Sequence, residues 1–271
     1  MARLDAELVR RGLARSRGEA RDLVLDGVVR IGEVAARKPS QPVDDATPLT
    51  VAAAGPRWVG RGAVKLLAAL DTWGPDGLSA RGRRCIDVGA STGGFTQVLL
   101  ESGARHVVAL DVGRDQLAAE LVADPRVLDL PGTTVRGLTP QDVGGPFDLL
   151  VTDLSFISLT LVAGELAGLL GPDGDLVALV KPQFEVGRER LGRGGLVTDQ
   201  RARADALTRV VAAFRAEGLH VRGLAVSPVT GSTGNVEYLL WARSEVSDTM
   251  TEDEVRAAVR AVSHDSTGGG R

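Results

Sequence analysis

Cysteine is nearly absent from this 271-residue chain, which holds Cys85 alone. No disulfide framework can brace it, and a single thiol inside an apolar run is most simply a small buried hydrophobe. Histidine is scarce too. His106, His220 and His264 share no ligand spacing, so no metal site is expected from them. No apolar run is long enough to span a bilayer, so a membrane protein is not expected. The opening stretch MARLDAELVRRGL has early acids and no apolar core of a signal peptide, so a cytosolic protein is expected. A large excess of charge is also missing. With a net charge of −3 and a pI near 5.7, any attraction to nucleic acid must come from a local basic face. Lysine is the last scarcity: Lys38, Lys65 and Lys181 are three of 32 basic residues, the rest being arginine. Coding bias toward arginine accounts for the ratio but not for the exceptions. A lysine offers a compact point charge that can lose its proton, and positions needing those properties resist replacement.

What is present is ordinary for a folded protein, with 44% hydrophobic and 25% charged residues. The length suits one large α/β domain and a small appendage. The informative stretch is CIDVGASTGGFT, residues 85–96. Cys85, Ile86 and Val88 give the apolar run of a buried parallel strand, Gly89, Gly93 and Gly94 a tight turn, and a helix opens near Phe95. The dinucleotide fingerprint G-x-G-x-x-G requires a second glycine where this chain has Ser91, because a pyrophosphate presses on the backbone there. A nucleoside ligand without a pyrophosphate escapes that requirement. Asp111 closes the next apolar run at the offset where an acid accepts hydrogen bonds from ribose hydroxyls. A purely structural turn explains the glycines alone equally well; Asp111 favours nucleoside binding.

In chain order, residues 3–12 have Leu4, Leu8 and Val9 at helical spacing, closed by Gly12. Ser16 and Glu19 form a capping-box pattern for a second helix reaching about Asp26. Short strands follow at 28–31 and 49–51. Arg10, Arg11, Arg15, Arg17 and Arg21, with Arg37 and Lys38 further on, make a candidate phosphate-contacting face. Acids nearly balance them, nine basic against eight acidic over residues 1–50, so a solvated surface is the competing reading. Residues 52–56 are small and aperiodic and read as a linker.

A packed helix is expected over 63–73, with Lys65 near its start. Beyond Asp111, apolar runs recur at 126–130, 147–151, 176–180, 219–226 and 238–241, with helical patterns at 159–170 and 201–217. Such alternation specifies a mostly parallel sheet covered on both faces, whose last two strands pair antiparallel through the turn-rich 228–235. Ligands sit outside the carboxyl ends of such strands. Asp153 and Lys181 fall at strand ends. Glu237 falls at the start of the final strand, which an antiparallel course brings to the same edge. Lys65 can reach that rim from its helix. Each is singly a surface charge by default; four on one rim make that reading weaker.

Residues 3–40 resemble the S4 RNA-binding domain in the order of their small residues, the R-S-R turn and the D-G-x-V-R strand start. RGAVKL, DVGASTGGFT, DLSFISL, VKPQFEVG and GNVEYLLW resemble the FtsJ-type methyltransferases, and with the leading module the whole resembles the TlyA family, once named haemolysins. The resemblance implies an α/β, Rossmann-like class I methyltransferase, a mostly parallel seven-stranded sheet with an antiparallel last strand, preceded by a small α+β S4-like domain. It implies S-adenosyl-L-methionine as cofactor and cytidine ribose 2′-hydroxyls of 16S and 23S ribosomal RNA, naked or in ribosomal subunits, as target. It also implies a Lys-Asp-Lys-Glu catalytic tetrad on Lys65, Asp153, Lys181 and Glu237. Cofactor contacts fall on Asp87, Gly89, Ala90, Ser91, Gly93, Gly94, Phe95, Asp111 and Val112, and RNA contacts on Arg10, Arg11, Arg15, Arg17, Arg21 and Lys38. Gly60, Val64 and Thr134 depart from the family pattern of Ser, often His, and Asn.

The chemistry suits those residue types. A sulfonium methyl is already a strong electrophile while a ribose hydroxyl is a poor nucleophile, so activation falls on the hydroxyl. Lys181 is placed to accept its proton or to stabilise the developing alkoxide, with Asp153 and Glu237 orienting the lysines and in-line alignment adding to the rate. No metal is required. The expected domains are S4-like 1–51, linker 52–59, FtsJ-like 60–245, and 246–271 as a C-terminal helix, near 252–262, and disordered tail. A silent RNA-binding assembly factor is the main rival, which the complete tetrad disfavours. A pore-forming haemolysin is a weaker one, because the 252–262 helix is short and mixed in charge.

Overall fold

Residues 2–25, 27–32, 34–51, 58–231, 233–244 and 250–265 are described by the computed structural model, in two units, Met1–Arg61 and Gly62–Arg271. The expected linker at 52–56 lies outside the described residues, as does the tail beyond 265.

The first unit runs β1 (Ala2–Arg3), α1 (Leu4–Arg10), α2 (Arg17–Leu25), β2 (Val29–Ile31), β3 (Val34–Ala35), β4 (Pro42–Val43) and β5 (Leu49–Val51). Both helices end alike. At Gly12, φ 70°, the amide bonds back to Val9 and that of Leu13 to Leu8; Gly27 and Val28 repeat the pattern onto Val24 and Leu23. This closure satisfies the terminal carbonyls through a left-handed residue, which glycine adopts without a steric penalty. The capping box is only half made. Ser16 Oγ accepts from Glu19 N at 3.2 Å, but the Glu19 carboxylate turns to the Arg15 amide. Leu4, Leu8, Ala20, Val24, Val29 and Val43 form the core between the helices and the strands, which pair as β3-β2-β5 and β1-β4.

The second unit runs α3 (Gly62–Trp73), β6 (Arg84–Val88), α4 (Gly94–Glu101), β7 (His106–Asp111), α5 (Ala119–Val122), β8 (Val127–Pro131), α6 (Pro140–Val143), β9 (Phe147–Thr152), α7 (Ala163–Gly168), β10 (Leu170–Val180), α8 (Pro182–Glu185), α9 (Gln200–Ala216), β11 (His220–Val226), β12 (Tyr238–Arg243) and α10 (Glu252–Asp265). The strands form one sheet in the order β11-β12-β10-β9-β6-β7-β8. β10, β9, β6, β7 and β8 are mutually parallel, and β12 runs antiparallel between β10 and β11. Along β10, Leu176, Ala178 and Val180 enter the core that α7, α9 and α10 complete, while Val177 and Leu179, facing the other way, are equally buried. Burial on both faces is why these strands read as continuous apolar runs.

Two expected elements differ. The helix anticipated over 159–170 breaks into a 3₁₀ turn, Leu159–Leu161, and α7, separated by Val162 at φ −131°. Its last residue, Leu170, instead pairs with Phe147, so β10 begins there and shifts register before Asp175. Helical periodicity counts apolar residues, and Leu169 and Leu170 satisfy it while serving the sheet. The final helix also runs three residues further than expected, to Asp265. Among the described residues, no helix is long and apolar enough to cross a membrane.

Candidate active site

The antiparallel course of β12 decides the rim. Tyr238 stands opposite Val180, so the residue before β12 and the residue after β10 meet at one edge. There Lys65 Nζ donates to Glu237 Oε2 at 2.7 Å and to Asp153 Oδ2 at 3.0 Å, and Lys181 Nζ lies 2.6 Å from Asp153 Oδ1. The four residues expected from sequence are thus one linked ion cluster. Lys65, Lys181 and Glu237 are each under a tenth exposed. Burial works against the charge on Lys65, yet Asp153 and Glu237 outweigh it and hold the amine above its ordinary range. Burial likewise opposes ionisation of Asp153, and Lys181 and Lys65 overcome it and hold the carboxyl below its ordinary range. Lys65 is therefore a fixed cation that compensates two carboxylates. Gly231 lets Glu237 pack closely, since a Cβ there would lie 2.6 Å from Oε1.

Two polar residues at this rim were not anticipated. Ser155 Oγ accepts from Lys181 Nζ at 2.8 Å. Asn235, buried, accepts from Val197 N at 2.9 Å and donates to the Gly195 carbonyl at 2.9 Å, fastening the 192–197 loop beside Glu237. Both lie inside motifs already singled out, DLSFISL and GNVEYLLW. Next to Ser155, Phe156 is 92% exposed with φ 66°, and its ring packs on that of Phe184.

The glycine turn after β6 opens a cleft lined by Ala90, Ser91, Asp111, Gly113, Gln116, Leu117, Asp129 and Pro131. Asp111 spans it. Its two carboxylate oxygens accept from Ser91 N at 2.8 Å and Gly113 N at 2.7 Å, fixing the group while leaving further lone pairs for a ligand. Asp129 faces the same space, its carboxyl pushed up by burial and by Asp115 and Asp111. Gly89 and Gly93 hold φ 89° and 96°. A Cβ on Gly93 would meet Leu121 and Leu117 at 2.3 and 2.7 Å. Of the expected cofactor residues, Ala90, Ser91 and Asp111 line the cleft and Val112 lies exposed beside Asp111. Asp87, Gly94 and Phe95 do not reach it by side chain and are buried behind the turn. Asp87 Oδ2 accepts from Thr96 Oγ1 at 2.7 Å while its Oδ1 has no partner, and burial raises this carboxyl to about 7. It braces the first turn of α4. Gly113, Gln116 and Leu117 were missed because they follow β7 in a loop without a pattern of its own, and Asp129 and Pro131 because they lie within the apolar run of β8 and at its end. Among the described residues, no cluster of three or more His, Cys, Asp or Glu could hold a metal ion.

In the first unit the expected basic face is largely tied up internally. Buried Glu7 pairs with Arg10 and Arg11, whose hydrogen bonds lower its carboxyl to about 2. Arg11 also donates to the Thr47 carbonyl at 2.7 Å, so it serves the fold. Arg15 pairs with Glu19 at 3.0 Å and Arg17 with buried Asp5 at 3.4 Å. Arg21 and Lys38 have no ion-pair partner among the described residues, and both are exposed.

The FtsJ-like methyltransferase family matches residues 58–244 and the S4 domain family residues 2–46, which makes this an FtsJ-like methyltransferase with a leading S4 module. Among curated proteins, a 16S/23S rRNA (cytidine-2′-O)-methyltransferase TlyA of Mycobacterium tuberculosis is 51% identical over 97% of both chains. Hemolysin A of Brachyspira hyodysenteriae is 33% identical over 88% of this chain and 98% of its own. A solved structure named as a hemolysin from Streptococcus thermophilus is 36% identical, with a TM-score of 0.76 over 98% of this chain and 96% of that one. The chain belongs to the TlyA family.

Proposed function

We propose that this protein transfers the methyl group of S-adenosyl-L-methionine to the ribose 2′-hydroxyl of cytidine in 16S and/or 23S ribosomal RNA, acting beside ribosomes in the cytoplasm. The observation that carries the reading is the Lys65–Asp153–Lys181–Glu237 cluster, on the same sheet edge as a cleft with a fixed carboxylate. The name of the 51%-identical relative supports the substrate.

The cleft fits the cofactor on its own terms. Asp111 presents carboxylate lone pairs suited to ribose hydroxyls, and Asp129 offers an acceptor for a base N–H. When bound, the cofactor supplies an electrophilic methyl group on a cationic sulfur. The protein's part is then to orient the hydroxyl and manage its proton. Lys181 Nζ receives that proton as the oxygen–carbon bond forms, or stabilises the alkoxide as it develops. Asp153 holds Lys181, and Lys65 keeps Asp153 ionised and binds Glu237. Phe156 offers a flat exposed face of the kind on which an unstacked base rests.

The test is to incubate small and large ribosomal subunits with the purified protein and radiolabelled cofactor, and to map ribose methylation. A labelled cytidine 2′-oxygen is expected. Intact binding to subunits without label on either would leave the RNA-binding assembly factor as the reading.

A further inference from the structure

The segments that follow β9 and β10 lie alongside each other and are joined at three levels. Lys181 donates to Ser155 at 2.8 Å, the Phe156 and Phe184 rings meet at 5.2 Å, and Glu185 accepts from Ser158 Oγ and from Leu159 N at 2.9 Å. Within this seam Phe156 holds φ 66°, a conformation that a bulky residue keeps only where its surroundings over-determine it. The seam holds both ends of the Ser155–Lys181 bond.

That bond adds to the contact between Lys181 and Asp153, whose Oδ1 lies 2.6 Å from the amine. An amine on a flexible stem is a threefold rotor, and one neighbour alone leaves it free to turn about the axis to that neighbour. The bond to Ser155 at 2.8 Å fixes a second direction.

We infer that Ser155 is a positioning residue for methyl transfer, setting the rotation of the Lys181 amine toward the substrate hydroxyl. The inference rests on the proposed reaction. With Asp153 beside one tetrahedral direction of the nitrogen and Ser155 on a second, a third remains for the substrate. It carries a proton in the ammonium and the lone pair in the neutral amine. A neutral amine keeps two N–H donors, so Ser155 accepts in both states and the aim survives proton transfer. Ser155 is exposed, which leaves room for a β-methyl group.

The test uses the full-length protein, the subunit it labels, and single-turnover methylation by the parent, Ser155→Ala and Ser155→Thr. Ser155→Ala is expected to slow the transfer about tenfold, the worth of one hydrogen bond. Cofactor affinity by calorimetry and the KM for RNA should stay within about twofold, and Ser155→Thr should keep most of the parental rate. A parental rate in Ser155→Ala, a loss that Ser155→Thr fails to restore, or an equal loss of cofactor or RNA affinity would each overturn the positioning role. A parent that methylates neither subunit removes the proposed reaction and this inference together. A methylating parent matched by its alanine variant removes the inference alone.

Discussion

Lys65 and Lys181 carry the same group into different settings, and the difference assigns their work. Lys65 sits between two carboxylates and stays an ammonium. Lys181 meets one carboxylate and donates a hydrogen bond to a hydroxyl. Lys181→Arg therefore keeps the charge and should lose most methyl transfer, since guanidinium takes no proton and its planar fork displaces the point charge. Cofactor and RNA affinities should persist; a near-parental single-turnover rate would reduce Lys181 to an electrostatic fixture. Asp87 gives a pH prediction of definite sign. Its carboxyl is raised from 3.8 to about 7, so the folded state binds the proton more tightly and this group adds stability as pH falls from about 7 toward 3.8. The addition is lost as pH rises through 7. Asp87→Asn should flatten that part of the urea-denaturation profile, a difference on the order of 2–4 kcal/mol. A parent and variant with parallel profiles would show the carboxyl to be ionised throughout. At this scale the sequence placed Asp153, Lys181 and Glu237 on one rim because each stands beside a strand terminus, where topology alone predicts its place, and Lys65 joins their ion cluster from α3. It did not disclose Ser155, whose role depends on a lysine 26 positions away and on the seam that aligns them.

The strand, turn and helix over 84–101 are the element on which local reading succeeded most fully. Apolar run, glycines and helix start each signal the same thing. Gly93 tests it. Alanine there must adopt φ 96° and drive a Cβ into Leu117 and Leu121. Gly93→Ala should cost about 1–3 kcal/mol by the strain alone, visible as a lowered Tm, and should weaken cofactor binding by displacing α4. An unchanged Tm would mean the leucines yield freely. Reading failed where one apolar pattern serves two structures. Leu169 and Leu170 complete a helical period, and the sheet takes Leu170 through its pairing with Phe147. The pairing of Asp5 with Arg17, twelve positions on, is equally hidden from a linear pattern, whereas Glu7 stands at the helical spacings of three and four from Arg10 and Arg11, a signal the arginine count passes over.

For the whole molecule, a net charge of −3 means that attraction to RNA is local. Within the first unit, Arg21 and Lys38 are the expected contacts whose charge no described neighbour offsets. Reversing both to glutamate should weaken subunit binding and reduce the salt slope by about 1 for each phosphate no longer neutralised. The same change at Arg15 and Arg17 should do less, because Glu19 and Asp5 already compensate them. Titration at several salt concentrations separates the cases; equal slopes in all variants would place RNA docking elsewhere. The longest tie in the site has a consequence for synthesis. Lys65 and Glu237 are 172 positions apart, and Glu237 is presented by a strand that enters the sheet between two earlier ones. A nascent chain that has not yet released β12 from the translating ribosome holds Lys65 without its second carboxylate and β10 with an open edge. On the proposed reaction such a chain has an incomplete site, and it is expected not to modify the ribosome that is making it.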